Sequence, residues 1–294
     1  MKKIVFTIAL GLMMIGANAQ TDVVGKKYIY EFRDGTTIIG TFVKEENGNV
    51  YITDMKGKDT YIPNVMIAQT YEVSDENLKN GEYWFPNLHD TRYFFSPSAF
   101  GLEQGEGYFG HSYWVMWQAQ YGITDELSIG AGTALWGYPA TLNAKYSFNI
   151  DNDLYAALGW FWVGDLFYDS DERSLLNMPY AVITKGSKEN NFTLGAAYNF
   201  IESVDSKERL VLNAGGTFRM GRRFAFVFEA WLLDPMNKAE IMGGPGIRYF
   251  RKINRVTARN GAGAKTWDFQ LMHFPMGDDE GPSFIPMFGA SQKF

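Results

Sequence analysis

Between Asn190 and Phe200 apolar and polar positions alternate almost without fault. Phe192, Leu194, Ala196, Tyr198 and Phe200 share one side of an extended chain, and Thr193, Gly195, Ala197 and Asn199 share the other. A period of two predicts a strand with two unlike faces. The pattern recurs to the C-terminus. Leu142, Ala144, Tyr146, Phe148 and Ile150 oppose Thr141, Asn143, Lys145, Ser147 and Asn149. Phe224, Phe226 and Phe228 oppose Glu229, and Trp267, Phe269 and Leu271 oppose Asp268 and Gln270. About twelve such segments are predicted, at 92–102, 107–121, 125–137, 140–150, 153–165, 177–187, 190–200, 208–219, 222–234, 239–251, 264–275 and 283–294, with ten and fourteen as the neighbouring counts. One face is bulky and often aromatic near segment ends, whereas the other is small, Gly-rich and sparsely charged. A soluble sheet would carry Lys and Glu densely on its outer face. A transmembrane barrel turns bulky apolar side chains to lipid and small or polar ones to its lumen. The pattern predicts an all-β chain with an antiparallel up-and-down transmembrane β-barrel of about twelve strands over 92–294. On this reading, charging Leu194 costs ~2–4 kcal/mol, while Gly195→Ser is nearly silent.

The links between segments sort by length. Tight turns are expected at 123–125, 151–153, 186–189 and 221–222, and longer, acidic links such as DSDERSLLN and IESVDSKE alternate with them. Bacterial barrels have short turns on the periplasmic side and longer loops outside. The segment INRVTARNGAGA, 253–264, is the exception. The final FGASQKF, with Phe294 on the bulky face, resembles the terminal strand by which outer-membrane barrels are recognised for insertion.

The N-terminal part reads differently. MKKIVFTIALGLMMIGANAQ has a basic start, an apolar run over 4–16 and a small-x-small site at Ala17–Ala19, which predicts a cleaved export signal over 1–19. Residues 27–73 form a compact β unit broken by Asp34-Gly35, Asn47-Gly48 and Lys56-Gly57, the chemistry of tight hairpins. With its DG-x-x-I-x-G run and late YIP strand, the unit resembles SH3-like or Sm-like small barrels. The resemblance implies a periplasmic module over 20–75, either able to meet a protein or cell-wall partner or a spacer with no ligand, and the turn-rich stretch 76–91 reads as a linker.

Composition narrows the chemistry. Asp and Glu number 33 against 27 Lys and Arg, which argues against nucleic acid as a partner. No cysteine is present, so disulfides and thiolate metal sites are excluded, and the three histidines (His89, His111, His273) have no metal-ligand spacing. No metal, cofactor or catalytic residue is assigned, and the reading is of a protein that is not an enzyme. His111 and Ser112 are adjacent, but neighbours on a strand point to opposite faces. His89, Asp90 and Arg92 are expected to anchor the first strand at the barrel rim. Seven charges are expected to face the lumen: Lys145, Arg209, Arg219, Glu229, Glu240, Arg248 and Asp268. Paired, they would close the lumen; hydrated, they would line a narrow solute path.

The stretch N-x-H-D-T-R-Y-F-F-S-P-S-A-F (87–100), then GEGY (105–108), YGITDELSIGAG (121–132) and GGPGIR (243–248), resembles an uncharacterised family of outer-membrane proteins of Gram-negative bacteria. The resemblance implies a barrel in contact with outer-membrane lipid and brings no activity with it. Two function classes stand: an anchored binding or structural protein of the envelope, or a narrow pore for small polar solutes. An outer-membrane hydrolase comes third.

Overall fold

The computed structural model describes residues 22–73, 78–79, 82–84, 86–113, 115–134, 137–165, 174–200, 210–236, 239–251, 264–275 and 283–294. The expected export signal and Arg209 lie outside the described residues. The chain divides after Val73 into two compact units.

The first unit is a five-stranded antiparallel sheet. Its strands are β1 (Lys27–Phe32), β2 (Thr37–Glu46), β3 (Asn49–Asp54), β4 (Asp59–Pro63) and β5 (Ile67–Glu72), in the order β4-β3-β2-β1-β5. A single 3-10 turn, Asn64–Met66, joins β4 to β5. Gly35, Gly48 and Gly57 all have positive φ, as the hairpin turns at these sites require. Tyr28, Tyr30, Phe42, Val50, Ile52 and Ile62 form the core.

The second unit opens with a small hairpin, β6 (Leu78–Lys79) and β7 (Glu82–Tyr83). Twelve strands follow: β8 (Gly107–Ser112), β9 (Met116–Gly122), β10 (Leu127–Thr133), β11 (Ala140–Asp151), β12 (Leu154–Gly164), β13 (Ser174–Gly186), β14 (Asn190–Tyr198), β15 (Leu210–Arg219), β16 (Phe224–Leu233), β17 (Glu240–Phe250), β18 (Lys265–Phe274) and β19 (Ser283–Lys293). Each pairs antiparallel with the next, and β19 closes on β8, so the sheet is a closed barrel. Closure leaves no long strand edge to solvate, which is what permits a sheet to cross lipid. Alternation decides the faces. Leu194 is 57% exposed on the outer surface, while Thr193 beside it is fully buried. Leu158, Ile183, Phe269 and Leu271 repeat this outward exposure around the wall. The turns at 123–126, 152–153, 187–189 and 220–223 lie at the end that carries the C-terminus, here the near end.

The strand count matches the sequence reading, but two elements do not. Residues 92–102, read as the first strand, form no strand, so the barrel begins at Gly107. Pro97 has no N–H to give a ladder, and the Ser96-Pro97-Ser98 run breaks the apolar alternation. The segment 107–121, read as one strand, is the hairpin β8–β9, turned at Tyr113 with φ 53°. Gly195 also departs from expectation. A Cβ there would sit 2.2 Å from Asn213 Oδ1 and 2.9 Å from the Ala181 carbonyl, so Gly195→Ser collides with the wall.

Candidate functional site

Residues 86–106 enter the barrel from the near end and fold back within it. Asn87 is fixed at that end by the β13–β14 turn, donating through Nδ2 to Lys188 O at 2.9 Å and through its backbone N–H to Glu189 Oε1 at 2.6 Å. Lys188 also pairs with Asp90 at 3.3 Å, and the buried Asp90 charge raises the pKa of the Lys188 ammonium. The chain then climbs to a turn in which Tyr93 N donates to Ser96 O at 2.9 Å, with a bridge between Arg92 and Pro97. It returns to the near end, where Gln104 N donates to Asp125 Oδ1 at 2.9 Å, and β8 begins. The result is an irregular hairpin whose backbone finds few partners of its own, because it belongs to no sheet.

The barrel wall supplies those partners. Lys145 Nζ on β11 donates to the carbonyls of Thr91 (3.0 Å), Ser98 (3.1 Å) and Phe100 (2.6 Å). Glu229 Oε2 on β16 accepts from the backbone N–H groups of Phe94 (3.2 Å), Phe95 (2.9 Å) and Ser96 (2.8 Å) at the turn. Arg248 on β17 holds Asp268 on β18 through Nε (2.8 Å) and Nη2 (3.1 Å), and its Nη1 donates to His89 O at 2.6 Å. Its Nη2 also donates to the Tyr93 carbonyl. A cation on one side takes carbonyls, and an anion on the other takes N–H groups. Such hydrogen bonds to ionised groups are about twice as strong as neutral ones. Uncharged groups finish the grip: Tyr93 OH donates to Asn191 Oδ1 (2.7 Å), Ala99 N to Thr184 Oγ1 (2.8 Å) and Asn213 Nδ2 to Ser96 Oγ (2.6 Å).

Of the ten residues singled out by sequence, the nine that are described sort as follows. Lys145, Glu229, Arg248 and Asp268 are brought together around the hairpin. Arg219 stays at the near end, pairing with Glu189 at 3.1 Å and lying 3.8 Å from the Phe250 ring centroid. Glu240 is half-buried at the opposite end of β17. His89 and Asp90 are buried in the hairpin, and Arg92 donates from within it to Phe94 O (2.8 Å) and Ser291 Oγ (2.6 Å). The three anchor a lumenal hairpin rather than a strand at the rim. His111 lies on the outer side of β8 against Trp117 and Phe288, and Ser112 lies on the inner side. Among the described residues no group of His, Asp and Glu could hold a metal.

Sequence reasoning put Thr193 on the lumen side but gave no role to it or to Thr184, Asn191, Asn213 and Ser291, which are small polar residues with no distinguishing signal. It also missed the chemistry of the far half of the lumen. By register with Lys145, Glu229 and Arg248, the inward positions there include Met178, Trp231, Leu233, Met242, Met272 and Met287. A signal existed: at 175–176, 230–233 and 271–272 both faces are apolar, so the alternation fails toward strand ends.

The fold and its filled lumen define an outer-membrane-type β-barrel of twelve strands with an internal hairpin. No family model matches the chain, and no curated relative matches it. Two of the solved structures similar to it at low identity are the following. One is the NanC porin, at TM-score 0.42 and 11% identity, covering 64% of this chain and 98% of that one. The other is a loop L8 deletion mutant of OmpT, an outer membrane protein of Vibrio cholerae, at TM-score 0.29 and 8% identity, covering 92% of this chain and 96% of that one.

Proposed function

We propose that this chain is an outer-membrane protein whose barrel serves as a closed anchor and whose residues 22–73 meet a partner in the envelope. The observation that carries this reading is the hairpin 86–106, gripped on opposite sides by Lys145, Glu229 and Arg248. A solute path needs hydrated, accessible charges. Here the charges are spent on the hairpin's backbone, and Arg248 and Glu229 are each 1% exposed. The cavity beside the hairpin, lined by Arg92, Phe95, Ser112, Gln270 and Met287, has a volume of about 20 Å³, room for roughly one water.

The first unit supports a binding role. The strand order β4-β3-β2-β1-β5, with a 3-10 turn before β5, agrees with an SH3-like small barrel. Its outer face presents Tyr61, 62% exposed, beside Tyr51, with Lys44 Nζ 5.0 Å from the Tyr51 ring centroid. Exposed aromatic–cation surfaces of this kind favour protein partners. Planar-bilayer recording tests the anchor. The wild-type barrel is expected to be silent, and a chain lacking residues 88–101 is expected to conduct. Steady conductance by the wild type would replace the anchor with a pore. Pulldown from solubilised envelopes tests the module: a partner captured by the full chain and lost without 20–75 supports it, and retention without those residues refutes it.

A further inference from the structure

At the near end the rim charges are sorted by sector. The turns after β9 and β11 carry Asp125, Glu126, Asp151 and Asp153. The near ends of β16, β17 and β18 carry Arg223, Arg251 and Lys265 instead. In sequence, the stretch from Arg251 to Lys265 holds five basic residues and no acidic one. Strand pairing brings the three described cations side by side. Phe250 N donates to Arg223 O at 2.7 Å, and Arg251 N donates to Lys265 O at 3.0 Å. Arg251 and Lys265 are exposed, and Arg223 is half-buried. Among the described residues no carboxylate pairs with any of the three.

An aromatic patch on the outer wall adjoins this sector. Phe224, Tyr249 and Trp267 stand opposite one another on β16, β17 and β18 and face outward. Their ring centroids lie 5.2 and 6.0 Å apart, and Phe224 and Trp267 are 47% and 40% exposed. One step further along the wall the outward positions are Phe226, Ile247 and Phe269. A belt of Tyr and Trp at the edge of an apolar band marks the headgroup level of a bilayer. The cations touch this belt. Arg223 Nη1 donates to Tyr249 OH at 3.2 Å, and the Arg251 guanidinium lies 5.9 Å from the Trp267 ring centroid. Tyr249 accepts from Arg223 and keeps its own O–H to donate. Two guanidinium groups, an ammonium and a phenol therefore sit within two residues of one level on adjacent strands. Guanidinium forks match the paired oxygens of a phosphate, and an ammonium adds a point charge.

We propose that this sector of the near rim binds the headgroup of one anionic glycerophospholipid, with Arg223, Arg251 and Lys265 holding its phosphate and Tyr249 donating to it. The acyl chains of that lipid run along Phe226, Ile247 and Phe269 on the outer wall. Charge complementarity selects the anion, since clustered Lys and Arg at a membrane surface attract acidic lipids. A zwitterionic headgroup would bring its own ammonium against three cations. The position beside the aromatic belt selects a lipid of the bilayer over a phosphate in solution. The assignment rests on a barrel that crosses the outer membrane with its short turns toward the periplasm, and not on whether the lumen conducts.

The test is native mass spectrometry of the full mature chain, refolded into vesicles of phosphatidylglycerol with an excess of phosphatidylethanolamine and then extracted into detergent. The wild type is expected to retain one phosphatidylglycerol per barrel in preference to the more abundant lipid. Arg223→Gln with Arg251→Gln should lower that retention by at least about tenfold in a barrel that is still heat-modifiable. Arg251→Gln alone serves in its place if the double variant does not fold. Lys185→Gln removes an exposed cation at the same end but in another sector, where its Nζ donates to Asn152 O at 3.1 Å, and should leave retention unchanged. Equal retention in wild type and in a folded arginine variant overturns the site, as does an equal loss in Lys185→Gln. A wild type that emerges without phosphatidylglycerol, or with both lipids in their bulk ratio, overturns it too. Vesicles that also contain lipid A check the leaflet: retention of lipid A in place of phosphatidylglycerol would put this rim on the opposite side of the membrane and overturn the assignment. Bilayer conductance of the same samples remains the separate test of the closed anchor.

Discussion

Replacing Lys145 by methionine isolates the grip on the hairpin, because the stem is kept and only the ammonium is lost. Nζ donates to three hairpin carbonyls at 2.6–3.1 Å from a side chain that is buried in the barrel. Hydrogen bonds to a charged group contribute about 1.5–3 kcal/mol each. The three share one desolvated ammonium, so they do not add. Losing it leaves three buried carbonyls without a donor at about 1–3 kcal/mol each, and the ammonium desolvation that methionine avoids offsets part of this, for about 3–5 kcal/mol in all. At tenfold per ~1.4 kcal/mol, the population with the hairpin released rises by about two to four powers of ten. Trypsin reads this out, since the Arg92–Tyr93 bond lies inside the hairpin, where Tyr93 is 1% exposed. Lys145→Met is expected to be cut at Arg92 at rates at which wild type is not, and to conduct intermittently in bilayers. Lys145→Arg, which keeps a cation with several donors, should be cut far more slowly than Lys145→Met. If a folded Lys145→Met barrel resists trypsin as wild type does, the ammonium does not hold the hairpin and the reasoning fails.

Leu194→Arg places a charge on the lipid face at mid-strand and should cost ~2–4 kcal/mol, read as a lower midpoint for the heat-modifiable gel shift. Gly195→Ser should cost about 1–3 kcal/mol, because its Cβ has no room beside Asn213 and Ala181; an unchanged midpoint would contradict the packing. Arg248→Lys keeps the charge but gives up the fork that holds Asp268 while reaching His89 O and Tyr93 O. It should lower the midpoint by an amount equivalent to ~2–3 kcal/mol and speed cleavage at Arg92. In the first unit, Asp54 Oδ1 accepts the backbone N–H of Lys58 (2.9 Å) and Lys56 (2.8 Å), and these bonds hold its carboxyl below the usual 3.8. A depressed pKa stabilises above the unfolded value and ceases to as pH falls through the folded one. Asp54→Asn should therefore destabilise this unit in denaturant at pH 7, with the difference from wild type vanishing below the folded pKa. A difference that persists at lower pH would assign the effect to the turn's shape instead.

Period-two alternation was enough to place the barrel strands from β10 to β19 and to tell their lipid side from their lumen side. Phe192, Leu194 and Tyr198 could be assigned outward because the face of a strand residue depends on its parity alone. The tight turns of the first unit were legible for a similar local reason, since Gly35, Gly48 and Gly57 need positive φ. The hairpin was not legible. Its residues carry aromatic and polar types in a strand-like mixture, and what keeps 92–102 from joining the wall is the set of partners it finds on β11, β13, β14, β15, β16, β17 and β19. Those partners lie up to 199 positions away, and no local pattern encodes them.

The sequence by itself therefore determined a lipid-facing antiparallel barrel of about twelve strands behind a small β unit, the count agreeing because taking 92–102 as a strand offset reading β8 and β9 as one. Each of those features follows from short-range periodicity and backbone conformation. Only the tertiary structure decided what fills the barrel. Lys145 and Glu229 could have met each other, water or main chain, and parity says only that they point inward. Closure of the sheet set the hairpin's carbonyls beside Lys145 and its N–H groups beside Glu229, because a buried charge and an unpaired backbone group each cost several kcal/mol until one satisfies the other.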